Sequence, residues 1–114
     1  MKWLKARQWK YELNAESYKA AVEQETPEAF AQCVDEIFPE AKKVRDRAKA
    51  NGDNDIVDEL DKWIETYESQ LKATARDAQA DESVIDLFVD DVQAAMDELY
   101  DIGDAYAIWV KTVA

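Results

Sequence analysis

Apolar residues recur at three- and four-residue steps along most of the chain, a spacing that places them on one face of an α-helix. Three of these rows are long and keep their phase, and they predict helices over about 27–50, 55–78 and 83–112. The short segments between the rows contain residues that begin or end helices. The pattern therefore predicts a mainly helical protein.

The row over 27–50 has the clearest ends. Thr26 suits the N-cap and Pro27 is tolerated at the first helical position, while Asn51-Gly52 tolerates the left-handed backbone that ends a helix. Pro39 interrupts the row without shifting its phase. We therefore expect a helix that is kinked or briefly broken near Pro39.

The next two helices are preceded by polar residues that can cap them. Asp53-Asn54-Asp55 offers capping side chains to the helix over 55–78, and Asp81-Glu82-Ser83 offers them to the helix over 83–112. Gly103 lies within the last apolar row and lowers helix stability by about 1 kcal/mol relative to alanine. Because the row continues beyond it, we expect the helix to continue through Gly103.

The N-terminal segment fits two patterns. As a helix it places Tyr11 and Tyr18 on one face but leaves Trp9 and Leu13 nearly opposite them. As a strand it alternates Trp9, Tyr11 and Leu13 with polar residues, yet no second strand is evident in the sequence, and an isolated strand is not stable. A helix over about 2–24 is therefore the interpretation that the pattern favours.

Four amphipathic segments joined by short connections predict an all-α fold, a four-helix up-and-down bundle in one domain over residues 1–114. With 114 residues, 47% of them hydrophobic, the chain can bury a core without a metal or a disulfide. Only two glycines and two prolines are present, so hairpins and phosphate-binding loops have few of the residues they need.

The composition removes most catalytic chemistry. The chain has no histidine and one cysteine, so the usual zinc sites, di-iron sites and activated nucleophiles lack their partners. Cys33 lies between apolar neighbours and is interpreted as a core residue. Asp53, Asp55 and Asp58 resemble a calcium-binding loop, but Asp58 stands where the loop needs glycine. We expect no enzymatic activity, no cofactor and no metal.

The N-terminus lacks the uninterrupted apolar run of a secretory signal, and no segment approaches membrane-spanning length. A cytoplasmic protein is therefore expected.

Charge is distributed unevenly along the chain. The formal net charge of −12 divides into +1 over residues 1–52 and −13 over residues 53–114. Helical spacing aligns acidic residues into two rows, one on the last helix (Asp86, Asp90, Asp97, Asp101 and Asp104) and one on the helix before it (Asp58, Asp61, Glu65 and Glu68). Such surfaces repel nucleic acid and anionic membranes and attract basic proteins.

Carboxylates at these steps repeat every ~4.5–6 Å along a helix, on the scale of the ~3.4 Å phosphate spacing of a DNA strand. This leads to the hypothesis of a DNA mimic, an inhibitor of a nuclease or other nucleic-acid-binding protein, of the anti-restriction or anti-CRISPR type. By analogy it would be phage-encoded and act in the host cytoplasm. The simpler interpretation is that the two rows only keep the protein soluble.

A different functional class remains open. If Tyr11 and Tyr18 face the core of an N-terminal helix, Trp9 and Leu13 emerge on its far side, where tryptophan is a natural contact for a protein partner. The alternative is therefore a structural or adaptor protein that docks or forms a homodimer through this helix, with the acidic half serving solubility.

Overall fold

The elements follow the order strand, four α-helices, strand. The computed structural model describes residues 11–106 and 109–111. Within these residues the chain is an all-α bundle of four helices with one pair of short strands. The elements are β1 (Glu12–Asn14), α1 (Glu16–Gln24), α2 (Pro27–Ala50), α3 (Asn54–Ala80), a 3-10 turn (Glu82–Val84), α4 (Ile85–Tyr106) and β2 (Trp109–Lys111).

Helix α2 has the predicted bounds. The Thr26 side chain accepts a hydrogen bond from the Ala29 backbone N–H at 3.2 Å, and Pro27 occupies the first turn, where no N–H donor is needed. The helix is continuous through Pro39, so the predicted break does not occur, and the kink stays a prediction. After the cap at Asn51, Gly52 adopts a φ of 76°, which is the left-handed backbone expected where this helix ends.

Helices α3 and α4 are confirmed with shifted ends. Asp53 is the N-cap residue of α3, but its side chain makes no capping hydrogen bond. It accepts a hydrogen bond from the Tyr11 hydroxyl instead, so the predicted capping role is wrong for Asp53. Asp81 accepts hydrogen bonds from the Ser83 N–H at 3.0 Å and Oγ at 2.8 Å and so caps the 3-10 turn. Helix α4 continues through Gly103, as expected.

The predicted helix over 2–24 is wrong for residues 11–15, and its part over 2–10 lies outside the described residues. β1 pairs in parallel with β2, with Leu13 opposite Val110. The predicted helix over 83–112 is correspondingly wrong at 109–111. Trp109 continues the helical spacing of the apolar row before it, so the pattern does not distinguish the partner strand from a helix. Pairing two strands about a hundred residues apart in sequence is decided by tertiary structure.

The core is entirely apolar among the described residues. It draws on all four helices and on β1, and its largest fully buried side chains include Tyr11, Phe38, Phe88 and Leu60. Cys33 is fully buried, which confirms the prediction that it belongs to the core.

Consecutive helices pack on one another. Phe38 of α2 stacks on Trp63 of α3 with ring centroids 4.9 Å apart, and Trp63 Nε1 donates a 2.8 Å hydrogen bond to the Ala95 carbonyl of α4. These contacts fix α3 between α2 and α4. The up-and-down order of all four helices stays a prediction.

Candidate partner-binding surface

The acidic row of α4 faces solvent. Asp86, Asp90, Asp97 and Asp101 are exposed, because the opposite face of the helix is buried in the core. Helix α4 carries seven acidic residues and no lysine or arginine. Among the described residues, none of these four carboxylates takes part in an ion pair. The side chain of Asp104 lies outside the described part of the chain.

The acidic row of α3 has a different environment. Asp58, Asp61 and Glu65 are exposed and Glu68 is half-buried. Asp61 accepts a 3.0 Å hydrogen bond from Arg45 of α2. The row therefore borders a helix that supplies cations.

Glu68 is the most strongly paired member of the α3 row. Lys42 of α2 donates to it at 2.8 Å and Lys72 of α3 at 3.3 Å. The hydrogen bond from Lys42 is the main reason that the pKa of Glu68 is lowered, with a smaller contribution from Lys72. Two of the four carboxylates in this row are thus neutralised within the protein.

The two rows have different surroundings. Asp61 and Glu68 lie beside α2, whereas Asp86 and Asp90 line a groove that α4 forms with α1 and the start of α2. Asp101 lies nearer α3 and lines a depression there with Glu59, Trp63 and other residues. The structure therefore brings Asp86 and Asp90 together and does not place the α3 row beside them.

The groove beside α4 was not evident from the sequence. It has a volume of about 470 Å³, and apolar side chains of Val22, Phe30, Ile85 and Val89 line it. Val22 is 44% exposed although it lies on the apolar face of its helix. In the sequence, Val22 directly before the polar Glu23-Gln24-Glu25 is a signal for an exposed apolar residue. The groove itself is revealed only by the packing of α1 against α4.

The negative charge of α4 acts on neighbouring tyrosines. Tyr18 of α1 and Tyr100 of α4 lie with ring centroids 6.4 Å apart. Burial is the main reason that the pKa of each hydroxyl is raised, and the charge of Asp97 raises both further. Burial, then hydrogen bonding with Glu98, raises the pKa of Tyr67 to about 12. These tyrosines remain neutral at physiological pH and add no negative charge to the surface.

Comparison with protein-family models, curated proteins and solved structures found no match. The chemistry of this surface is therefore inferred from its own residues.

The contact surface of the alternative hypothesis is only partly within the described residues. Leu13 is fully buried, so its predicted exposure is wrong. The physical reason is that residues 12–14 form a strand, whose alternating side chains place Leu13 in the core, where the preceding Tyr11 is also fully buried. Trp9 lies outside the described residues.

The part of the chain that the structure describes contains few groups suited to metal binding or nucleophilic chemistry. No group of three or more acidic or cysteine side chains there is arranged to hold a metal ion. Burial raises the pKa of the Cys33 thiol to about 11, so this side chain stays protonated at neutral pH. None of the described helices combines the length and apolar character needed to cross a bilayer.

Proposed function

We propose that this protein is a non-catalytic inhibitor that imitates DNA and binds a basic surface of a nucleic-acid-binding protein or nuclease through the acidic row of α4. The observation that supports this most strongly is the row of exposed aspartates on α4, which form no ion pair with a cation of the described residues. Carboxylates left unpaired in this way are available to the lysines and arginines of a partner.

The contrast between the two rows supports a binding role over solubility alone. Like charges four residues apart in a helix oppose its formation by a few tenths of a kcal/mol per pair. The α3 row offsets this cost with Arg45 and Lys42. Helix α4 carries the same arrangement without any basic residue of its own, and the exposed aspartates of its row form no ion pair within the described residues. A basic partner would relieve this repulsion.

The length of the row suits a nucleic-acid channel. From Asp86 to Asp101 the helix rises by about 22 Å, which is the length of six to seven phosphate steps of roughly 3.4 Å on one DNA strand. Because Asp61 and Glu68 are ion-paired beside α2, we assign the mimicry to the single row on α4. Asp58 and Glu65 then contribute only to the general negative field.

The test is affinity capture on the immobilised full chain from a bacterial lysate, at low and at high salt, with double-stranded DNA added as a competitor. We expect nucleic-acid-binding proteins to be retained at low salt and released both by high salt and by DNA. Asp97→Asn with Asp101→Asn should reduce retention at least about tenfold.

Two control variants make this experiment decisive. Asp61→Asn with Glu68→Gln removes the same charge from ion-paired positions and should leave retention within about twofold of the native chain. Equal losses for both double variants would contradict the assignment to α4. Retention that tolerates high salt and disappears with Trp9→Ala would favour the adaptor function instead.

A further inference from the structure

The groove beside α4 joins an apolar floor to an acidic rim. Ile85 and Val89 are half-buried on α4 and are spaced four residues apart, so their side chains follow one another along the groove. Phe30 closes the floor and is 3% exposed, whereas Val22 forms the wall contributed by α1. The described part of the chain thus leaves apolar surface open between two helices.

The rim of this groove is negatively charged on both sides. Asp86 and Asp90 line the α4 side, and Glu25 lines the side of α1. All three are exposed, and no lysine or arginine is among the described residues that line the groove. An occupant must therefore bring apolar side chains to the floor and positive charges to both edges.

Glu25 occupies a position where other residues are favoured. It adopts a φ of 55° as the C-cap of α1, a left-handed conformation that glycine or asparagine adopts more readily. Its backbone N–H bonds to the Ala21 carbonyl at 2.9 Å, so the conformation is part of the helix ending. Glutamate at this position places a carboxylate on the rim where glycine would place none.

We propose that this groove binds a basic amphipathic helix of the partner protein, with the partner's apolar side chains on Ile85, Val89 and Val22 and its lysines or arginines against the rim. This proposal rests on the proposed function, which requires a positively charged partner, and adds an apolar contact to it.

The shape and the charge of the groove together favour this occupant. A helix presents apolar side chains at three- and four-residue steps, which matches the one-turn spacing of Ile85 and Val89. Anionic lipid headgroups and nucleic acid would meet three carboxylates at the rim and are repelled by them. A helix with an apolar stripe between two basic edges satisfies both parts of the groove.

The probes are two synthetic peptides of identical composition, built from leucine, lysine and alanine and each about five helical turns long. In one the leucines form a single helical stripe, and in the other they are distributed around the helix. We expect the full-length protein to bind the striped peptide at least about tenfold more tightly, as measured by fluorescence anisotropy. Equal binding of the two peptides would overturn the proposal.

Variants of exposed side chains distinguish binding in the groove from nonspecific binding to apolar surface. Val22→Ser should reduce the preference for the striped peptide to less than about threefold, while the circular dichroism spectrum stays native because Val22 is a surface residue. Leu87 is the matched control. It is an aliphatic side chain on α4, 58% exposed and outside the groove, so Leu87→Ser should leave the preference unchanged. An equal effect of both variants would overturn the proposal.

The failure of this proposal is distinguishable from that of the proposed function. Asp97 and Asp101 lie outside the groove. Asp97→Asn with Asp101→Asn should therefore lower the affinity for both peptides equally and preserve the preference for the striped one. If Val22→Ser has no effect on the peptide preference while Asp97→Asn with Asp101→Asn still abolishes capture from lysate, the proposal for the groove is overturned and the DNA-mimic function stands. If sedimentation shows a dimer of this chain that Val22→Ser dissociates, a second copy is the occupant and the proposal is wrong.

Discussion

At the scale of single residues, Cys33 behaves as a small apolar side chain. Its side chain is fully buried, and burial raises the pKa of the thiol from its ordinary value of 9.0 to about 11, although hydrogen bonding with Ser17 acts in the opposite direction. A thiol in this state is a poor nucleophile and a poor metal ligand at neutral pH. Its contribution is to packing.

This burial links stability to alkaline pH. Well below pH 9 the thiol is protonated in both the folded and the unfolded chain, so its contribution to stability is complete there. As the pH rises towards about 11, the unfolded chain loses the proton first, and the free energy of unfolding should fall by roughly 2 kcal/mol from this group. Urea unfolding between pH 8 and pH 11 measures the fall.

Cys33→Ala is the control for this prediction because it removes the titrating group. Both proteins contain the same tyrosines and lysines, so the difference between their pH profiles isolates the thiol. Parallel profiles for the native chain and the variant would show that Cys33 does not carry the effect.

At the scale of elements, helices α2 and α3 share their charges while α4 does not. α2 carries five basic and five acidic residues, and two of its cations, Lys42 and Arg45, reach the acidic row of α3. Lys62 of α3 lines the same depression as Asp101, but within the described residues no ion pair reaches the acidic row of α4. The same kind of acidic row is therefore stabilising to the fold on α3 and destabilising on α4.

This difference predicts effects of opposite sign on stability. Asp97→Asn with Asp101→Asn should raise the free energy of unfolding by a few tenths of a kcal/mol at low salt, because it removes repulsion four residues apart. Asp61→Asn with Glu68→Gln should lower it by up to about 1 kcal/mol, because it removes ion pairs that are partly exposed. Chemical unfolding at pH 7 measures both changes, and changes of the same sign would contradict the distinction.

The effect of Asp61→Asn with Glu68→Gln on the free energy of unfolding should depend on pH because of Glu68. Its pKa is lowered below the ordinary 4.5, chiefly by Lys42, so the pairing stabilises the fold above pH 4.5 and is lost as the pH falls through the lowered value. The difference between the native chain and the Asp61→Asn, Glu68→Gln variant should therefore shrink in acid. A difference that persists unchanged would show that the ion pairs are not its cause.

At the scale of the whole molecule, β1 connects parts of the chain that are distant in sequence. Its Leu13 lies opposite Val110 of β2, and the Tyr11 hydroxyl next to it donates to Asp53 in the turn between α2 and α3. Asn51 also donates to the Tyr11 oxygen, at 3.4 Å. Tyr11 is fully buried, so these contacts hold the strand against the bundle.

Tyr11→Phe should lower the free energy of unfolding by roughly 1–2 kcal/mol, because it leaves the aromatic packing and removes the hydroxyl. A double-mutant cycle with Asp53→Ala should give a coupling energy of roughly 0.5–3 kcal/mol. Tyr18→Phe is the control, since the Tyr18 hydroxyl has no hydrogen bond to a described residue. Additive effects of Tyr11→Phe and Asp53→Ala would show that the contact contributes nothing.

The two middle helices, α2 and α3, and most of α4 could be predicted from the sequence alone because their causes are local. The spacing of Phe30, Val34 and Ile37, the cap at Thr26 and the glycine at position 52 each act within a few residues, so α2 could be predicted to its ends. The same locality made the acidic row of α4 visible, since its aspartates share one helix and the burial of the opposite face follows from the pattern.

Tertiary structure decided what depends on residues far apart in the chain. The strand over 12–14 exists because 109–111 lies beside it, and that pairing buries Leu13, which the helical interpretation had exposed. The pairing of Glu68 with Lys42, the diversion of Asp53 to Tyr11 and the groove between α1 and α4 arise in the same way. A periodic pattern shows which side of a helix is buried, but only packing decides which neighbour meets each side and which carboxylates remain free for a partner.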